Sequence, residues 1–245
     1  MDKFEAKKVT EQLIQGIRDW FEKNGNGCNA CVGMSGGKDS TIVAALCVKA
    51  LGADRVIGVG IPDKGQDLHE ADEIAKHFGI QFHAVNIGSI TDAIKHETYY
   101  GGNVRLSEQA EQNIPPRVRM LILYAISQSN NGRVVGTCNA SENYIGYFTK
   151  YGDGASDFEP IAELTVHELY QVGDELGIPK KWTYKTPSAD LPNTKTDEDE
   201  IGFSYKDLDD YIRGTRKIPD DVVDKIEKRR KQNMHKFKEP EHILL

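Results

Sequence analysis

The chain has 245 residues, 38% of them apolar and 28% charged, enough for one substantial core and with no compositional sign of disorder. A net charge of −7 argues against general nucleic-acid affinity, and no apolar run approaches membrane-spanning length. The charged opening "MDKFEAKKVTEQ" does not read as a signal peptide, so a soluble cytoplasmic protein with no nucleic-acid or membrane partner is expected.

Val9, Leu13, Ile17 and Trp20 recur at helical spacing, which predicts an amphipathic opening helix ending near Gly25. Ala30 to Met34 reads as a short buried strand. Beyond a glycine turn, Ile42, Val43, Leu46, Cys47 and Ala50 share a helical face that Gly52 ends. A strand over 56–61 is followed by a helix using Leu68, Ala71, Ile74, Ala75 and Phe78, stopped at Gly79, and then by a strand over 81–85. Pro115-Pro116 opens a longer helix marked by Val118, Leu121, Ile122, Ala125 and Ile126, and Arg133 to Thr137 reads as a strand ending in "GTCNASE". Strands alternating with helices over short links predict a single α/β domain over 1–245, with a doubly wound parallel sheet flanked by helices on both faces. Ligands of such sheets bind at the carboxyl ends of the strands. The aperiodic, polar region around 185–204 predicts a mobile loop of the lid or binding type, and 219–245 a helical tail. Four cysteines make no disulfide framework and fit a reducing compartment. Cys28 and Cys31 have redox or metal spacing but no partner motif, and are read as ordinary buried residues.

The first strand end carries "GMSGGKDS", residues 33–40. A Walker A loop needs Gly six positions before the lysine and Ser or Thr after it; Val32 and Asp39 occupy those places. What remains is still an anion cradle. Gly36 and Gly37 let backbone N–H groups approach a ligand, the following helix offers its positive end, Ser35 and Ser40 add hydroxyls, and Lys38 adds a cation. Asp39 does not favour a bare anion and is read as facing a metal, together with Glu142 at a neighbouring strand end. The competing account makes Asp39 a surface residue and Glu142 a helix cap.

The Ser-Gly-Gly-x-Asp-Ser loop resembles the pyrophosphate loop of the N-type ATP pyrophosphatases, which split ATP into AMP and pyrophosphate. Six further blocks, "NIPPRVRM", "GTCNASE", "GYFTKYGDGASDFEPI", "TPSADL", "DEDEIGFSYKDLDDYI" and "MHKF", resemble the ammonia-dependent NAD synthetase family, in order along the chain. The resemblance implies an adenine nucleotide alpha hydrolase-like fold. It also implies an ATP-dependent ligase that amidates deamido-NAD with ammonia through an adenylate, giving NAD, AMP and pyrophosphate. It implies Mg²⁺ held by Asp39 and Glu142, and ATP contacts from Gly33, Met34, Ser35, Gly36, Gly37, Lys38, Asp39, Ser40, Thr137 and Ser188. Arg117, Lys150, Asp157, His235 and Lys236 match positions that contact deamido-NAD, and a homodimer is expected. Lys38 is assigned to stabilising the departing pyrophosphate, and Asp153 to handling the ammonia proton, with a turn-capping role as its alternative. One position departs from the pattern: Val166 stands where the family usually has a basic residue touching ATP, although Thr165 and Glu168 still form a capping box. Two other functions remain open, a tRNA-thiolating enzyme of the same superfamily, which the acidic net charge disfavours, and a non-catalytic ATP-binding module.

Overall fold

Each change of hydrophobic period becomes a change of element in the computed structural model, which describes residues 4–184, 196–238 and 243. Helix α1 (Ala6–Asn24) leads to β1 (Asn29–Gly33), which enters α2 (Lys38–Leu51) through the glycine turn. Then come β2 (Val56–Gly60), α3 (His69–Phe78), β3 (Gln81–Ala84) and α4 (Gly88–His96). The short α5 (Glu108–Gln112) and the long α6 (Ile114–Ser129) precede β4 (Gly132–Val135). The second half is helical: α7 (Ala140–Ile145), α8 (Val166–Glu175), α9 (Lys180–Thr183), α10 (Asp197–Ile201), α11 (Tyr205–Arg213) and α12 (Asp220–Asn233). The expected strands and the helices as far as α6 form, with their ends displaced by a few residues; of the expected helical tail over 219–245, Asp220–Asn233 forms α12, and 239–242, 244 and 245 lie outside the described residues.

The four strands are parallel and ordered β3-β2-β1-β4. Winding proceeds from β1 through β2 to β3 and then reverses, so the switch point lies between β1 and β4, where loops leave in opposite directions and open a crevice. Pleating sends alternate β1 residues to opposite faces. Ala30 and Val32 join a core with Ile42, Leu46, Ile74 and Leu169, whereas Cys31 joins Ile57, Val59, Val118 and Val134 beneath α4 and α6. Cys28 lies in the first core and Cys31 in the second, so the pair does not act as a unit. Burial pushes the Cys31 thiol up to about 12, which fits an inert packing role.

A third cluster, Ile145, Val166, Ile201, Phe203, Tyr205, Leu208 and Ile226, packs α7, α8, α11 and α12 together beside the sheet. Val166 is 2% exposed within it. Its side chain therefore serves packing. The expected loop around 185–204 differs in its second part. Thr196 caps α10 reciprocally with Asp199, and Ile201 and Phe203 are buried, so this stretch is helix and packed turn. Residues 185–195 lie outside the described residues.

Candidate active site

The loop between β1 and α2 is tied by its own serines. Ser35 Oγ accepts the Gly37 N–H at 3.1 Å and lies 3.3 Å from Ser40 Oγ, while Thr41 Oγ1 donates to the Gly37 carbonyl at 2.7 Å. Gly36 stands at φ +82°, a left-handed conformation that glycine adopts without a Cβ penalty. This winding turns the loop toward the crevice, where Ser35, Gly37, Asp39, Ser40, Thr137, Cys138, Glu142, Tyr147 and Asp153 line a cavity of about 210 Å³. Gly33 and Met34 belong to the sheet end instead: Met34 is 2% exposed and its N–H donates to the Val59 carbonyl at 2.8 Å.

Lys38 is buried and its ammonium meets Asp39 at 2.8 Å. Burial works against this cation, but the carboxylates of Asp39 and Glu142 outweigh it and hold its pKa above the usual lysine range. Glu142 carries the opposite strain. Burial first, and the Asp39 charge next, push its carboxyl up, against the pull of Lys38 and of the Asn139 N–H. The wall opposite the phosphate loop is built by the "NASE" run. Asn139 accepts the N–H groups of Ser141 and Glu142 at 3.0 Å, and Glu142 returns a bond to the Asn139 N–H at 3.2 Å. Glu142 is thus a helix cap and a cavity residue at once, and Asp39 lines the cavity instead of standing on the open surface. Asn139 is fully buried and its amide also donates to Asp39 at 3.4 Å, joining the two strand ends.

Asp153 has its expected turn-capping contact and also faces the cavity. It accepts the Thr149 N–H at 3.1 Å, closing the turn, and it lines the cavity with a carboxyl that burial pushes up.

The residues matched to the dinucleotide gather around the 146–154 turn. Lys150 donates to the carbonyls of His235 and Lys238 at 3.0 and 2.9 Å, and Lys236 donates to those of Gly146 and Phe148, both at 2.7 Å. Arg117 donates to the Lys150 carbonyl at 3.3 Å, and His235 is exposed. The two lysines therefore pin the tail to the turn reciprocally. Burial lowers the Lys236 pKa. A Cβ at Gly146 would lie 2.5 Å from that of Asn233, so only glycine allows α12 to approach this closely. Asp157 stands apart: it accepts the Val134 N–H of β4 at 2.8 Å and a bond from Tyr124 at 3.3 Å. Ser188 lies outside the described residues.

Sequence reasoning missed Cys138, Asn139 and Tyr147. Asn139 had a legible signal, the Asn-x-x-Glu capping spacing. Tyr147 had none, since its cavity position depends on Asp197 and Glu200 of α10, to which its hydroxyl bonds at 3.4 and 2.8 Å.

The arrangement, an anion cradle facing oxygen donors across a topological switch point, suits nucleotide chemistry. The family model for NAD synthase matches residues 9–240. An NH(3)-dependent NAD(+) synthetase of Archaeoglobus fulgidus is 39% identical over 84% of this chain and 83% of its own length, and one of Pyrococcus furiosus is 35% identical over 98% and 95%. Among solved structures, the NMN synthetase of Francisella tularensis superposes with a TM-score of 0.89 at 30% identity, covering 99% of this chain and all of its own. The NH3-dependent NAD synthetase of Campylobacter jejuni, solved with nitrate, gives 0.81 at 27% identity, covering 98% of this chain and 100% of its own. The phosphate loop, the switch-point cavity and the match over nearly the whole chain agree: the chain belongs to the NAD synthase family.

Proposed function

We propose that this chain is an ATP-dependent ligase that converts deamido-NAD and ammonia into NAD, AMP and pyrophosphate through an adenylated intermediate. The observation that carries this reading is the cavity in which the Ser35–Ser40 loop faces Glu142 and Asp153. ATP is bound with its β- and γ-phosphates on the loop N–H groups and the hydroxyls of Ser35 and Ser40, which leaves the α-phosphorus open toward Thr137. The nicotinate carboxylate attacks that phosphorus. Lys38, oriented by Asp39, meets the charge moving onto pyrophosphate. Asp39 and Glu142, hard oxygen donors on two neighbouring strand ends, would hold Mg²⁺, and the ion would supply positive charge to neutralise the departing group. Ammonia attacks the anhydride as the neutral species, and Asp153, whose buried carboxyl is raised, takes up the surplus proton. Arg117, Lys150, His235 and Lys236 supply positive charge for the dinucleotide phosphates, and Asp157 and Ser188 complete the substrate contacts.

A second reading is favoured by the Francisella neighbour: a chain making NMN by the same chemistry starts from nicotinate mononucleotide. Incubation with ATP, Mg²⁺, ammonium and each carboxylate substrate, with mass spectrometry of the nucleotides, tests both. Higher kcat/KM for deamido-NAD supports the first reading, and higher kcat/KM for the mononucleotide replaces it with the second. The rate should rise between about pH 7 and 9 as the ammonia fraction grows, and glutamine should not replace ammonium.

We also assign the chain to the cytoplasm, as a homodimer. The four cysteines are buried free thiols. Among the described residues no helix is long and apolar enough to cross a membrane. Leu121 on α6 is an apolar side chain left 66% exposed, and a second copy seated on α6 would cover it. Sedimentation of Leu121→Glu against the parent chain tests the dimer.

A further inference from the structure

Behind the cavity wall runs a second polar network that the proposed chemistry does not use. Asp209 on α11 is buried, with 6% of its side chain exposed, and receives donors from two helix starts. Ser141 Oγ donates to its Oδ1 at 2.5 Å. The backbone N–H of His167 donates to Oδ2 at 3.0 Å, and His167 Nδ1 meets the same oxygen at 2.7 Å. Ser141 Oγ in turn accepts the Val166 N–H at 3.1 Å, so its own hydrogen is directed at Asp209. A carboxylate can only accept, and the geometry therefore fixes the proton of His167 on Nδ1 of a side chain that is 48% exposed.

The network reaches the cavity without a break. Ser141 and Glu142 both donate their backbone N–H to the Asn139 carboxamide, and the Asn139 amide donates to Asp39. The path from Asp39 through Asn139, Ser141 and Asp209 to His167 is thus a chain of hydrogen bonds from the cavity wall to the protein surface. Its middle members are almost wholly buried, where an unmatched polar group is expensive. Ser141 immediately precedes Glu142 in the first turn of α7, and both donate to Asn139.

We propose that His167 is a positioning residue: by binding Asp209 through Nδ1 it fixes Ser141 and the first turn of α7, and so holds Glu142 and Asn139 in register with Asp39. This inference rests on the amidation reading, because it acts on the carboxylates assigned there. It gives His167 no contact with substrate.

Asparagine and glutamine separate the possibilities. The Asn amide nitrogen is bonded to Cγ, as Nδ1 is, whereas the Gln amide nitrogen lies one atom further out, near the place of Nε2. The full chain and its His167→Ala, His167→Asn and His167→Gln variants are compared for kcat, for the KM of ATP and for Tm. A displaced catalytic group costs rate steeply, so His167→Ala and His167→Gln should lose about tenfold in kcat with the ATP KM little changed. His167→Asn should restore most of the rate. An unimpaired His167→Ala overturns the proposal. So does rescue by Gln and not Asn, which assigns Nε2 a direct contact, and so does an equal loss in all three variants that follows a common fall in Tm. Nitrogen-15 NMR of the His167 ring supplies a readout independent of turnover, with the proton expected on Nδ1 in the neutral ring. A neutral ring protonated on Nε2 overturns the network even if the parent chain makes no NAD, whereas failure of the parent chain with Nδ1 protonated counts against the proposed function alone.

Discussion

The loop between β1 and α2 and the tail pin both hold lysines in fixed places, yet they are built by different means. Lys38 meets Asp39, its neighbour in sequence, and Ser35 through Thr41 are tied within a single turn. Lys236 and Lys150 instead bridge segments about ninety residues apart by capping backbone carbonyls. The loop is set locally, and its cation already stands among carboxylates that stabilise it. The tail depends on packing, and burial lowers the pKa of its lysine. Under the proposed function, the cation assigned to the departing pyrophosphate stands on the locally tied element and those assigned to the dinucleotide stand on the docked segment.

The comparison sharpens most at Glu142. Glu142→Ala removes both a cavity carboxylate and the reciprocal cap of α7, and should lower the adenylation rate by about three orders of magnitude, measured by pyrophosphate release in single turnover. Glu142→Gln keeps the cap and loses the charge, so a rate close to the parent's in that variant would reduce Glu142 to structure. Next comes Lys38→Ala, expected to lower the same step by about a hundredfold while leaving the deamido-NAD KM unchanged. Lys236→Ala reverses that pattern, raising the deamido-NAD KM by about tenfold with kcat retained. A slowed adenylation step at unchanged affinity would move the tail into the other half of the site.

The smallest effect concerns the frame. Glu168 caps α8 at Thr165 and binds Arg213 at 2.6 Å. Burial alone would raise its carboxyl, but the bonds from Arg213 and the Thr165 N–H outweigh it and lower the pKa. A carboxyl with a lowered folded pKa contributes its full stabilisation above the ordinary carboxylate range and loses it as pH falls through the lowered value. Glu168→Gln should therefore cost about 1 kcal/mol near neutrality, a cost that shrinks in acid, as read by denaturant titration at several pH values.

The sequence by itself determined the alternation of elements, the parallel sheet and the glycine-serine loop at the first strand end, because each rests on near neighbours: periodicity within ten residues, glycines beside serines, and prolines at a helix start. The Thr165–Glu168 capping box was legible too, because its spacing is itself the geometry, and the same spacing at Asn139–Glu142 was present but passed over. Only the tertiary structure decided that Asn139 joins Asp39, that Tyr147 enters the cavity from beneath α10, and that a surface-facing histidine reaches the wall through Asp209. The ordered helix at residues 197–201 belongs with these, since a short acidic run becomes a helix there through its cap and the burial of Ile201. Side chains that are distant in sequence meet only after the sheet has stacked the strand ends and the third core has drawn the helices together, and no local pattern encodes that meeting.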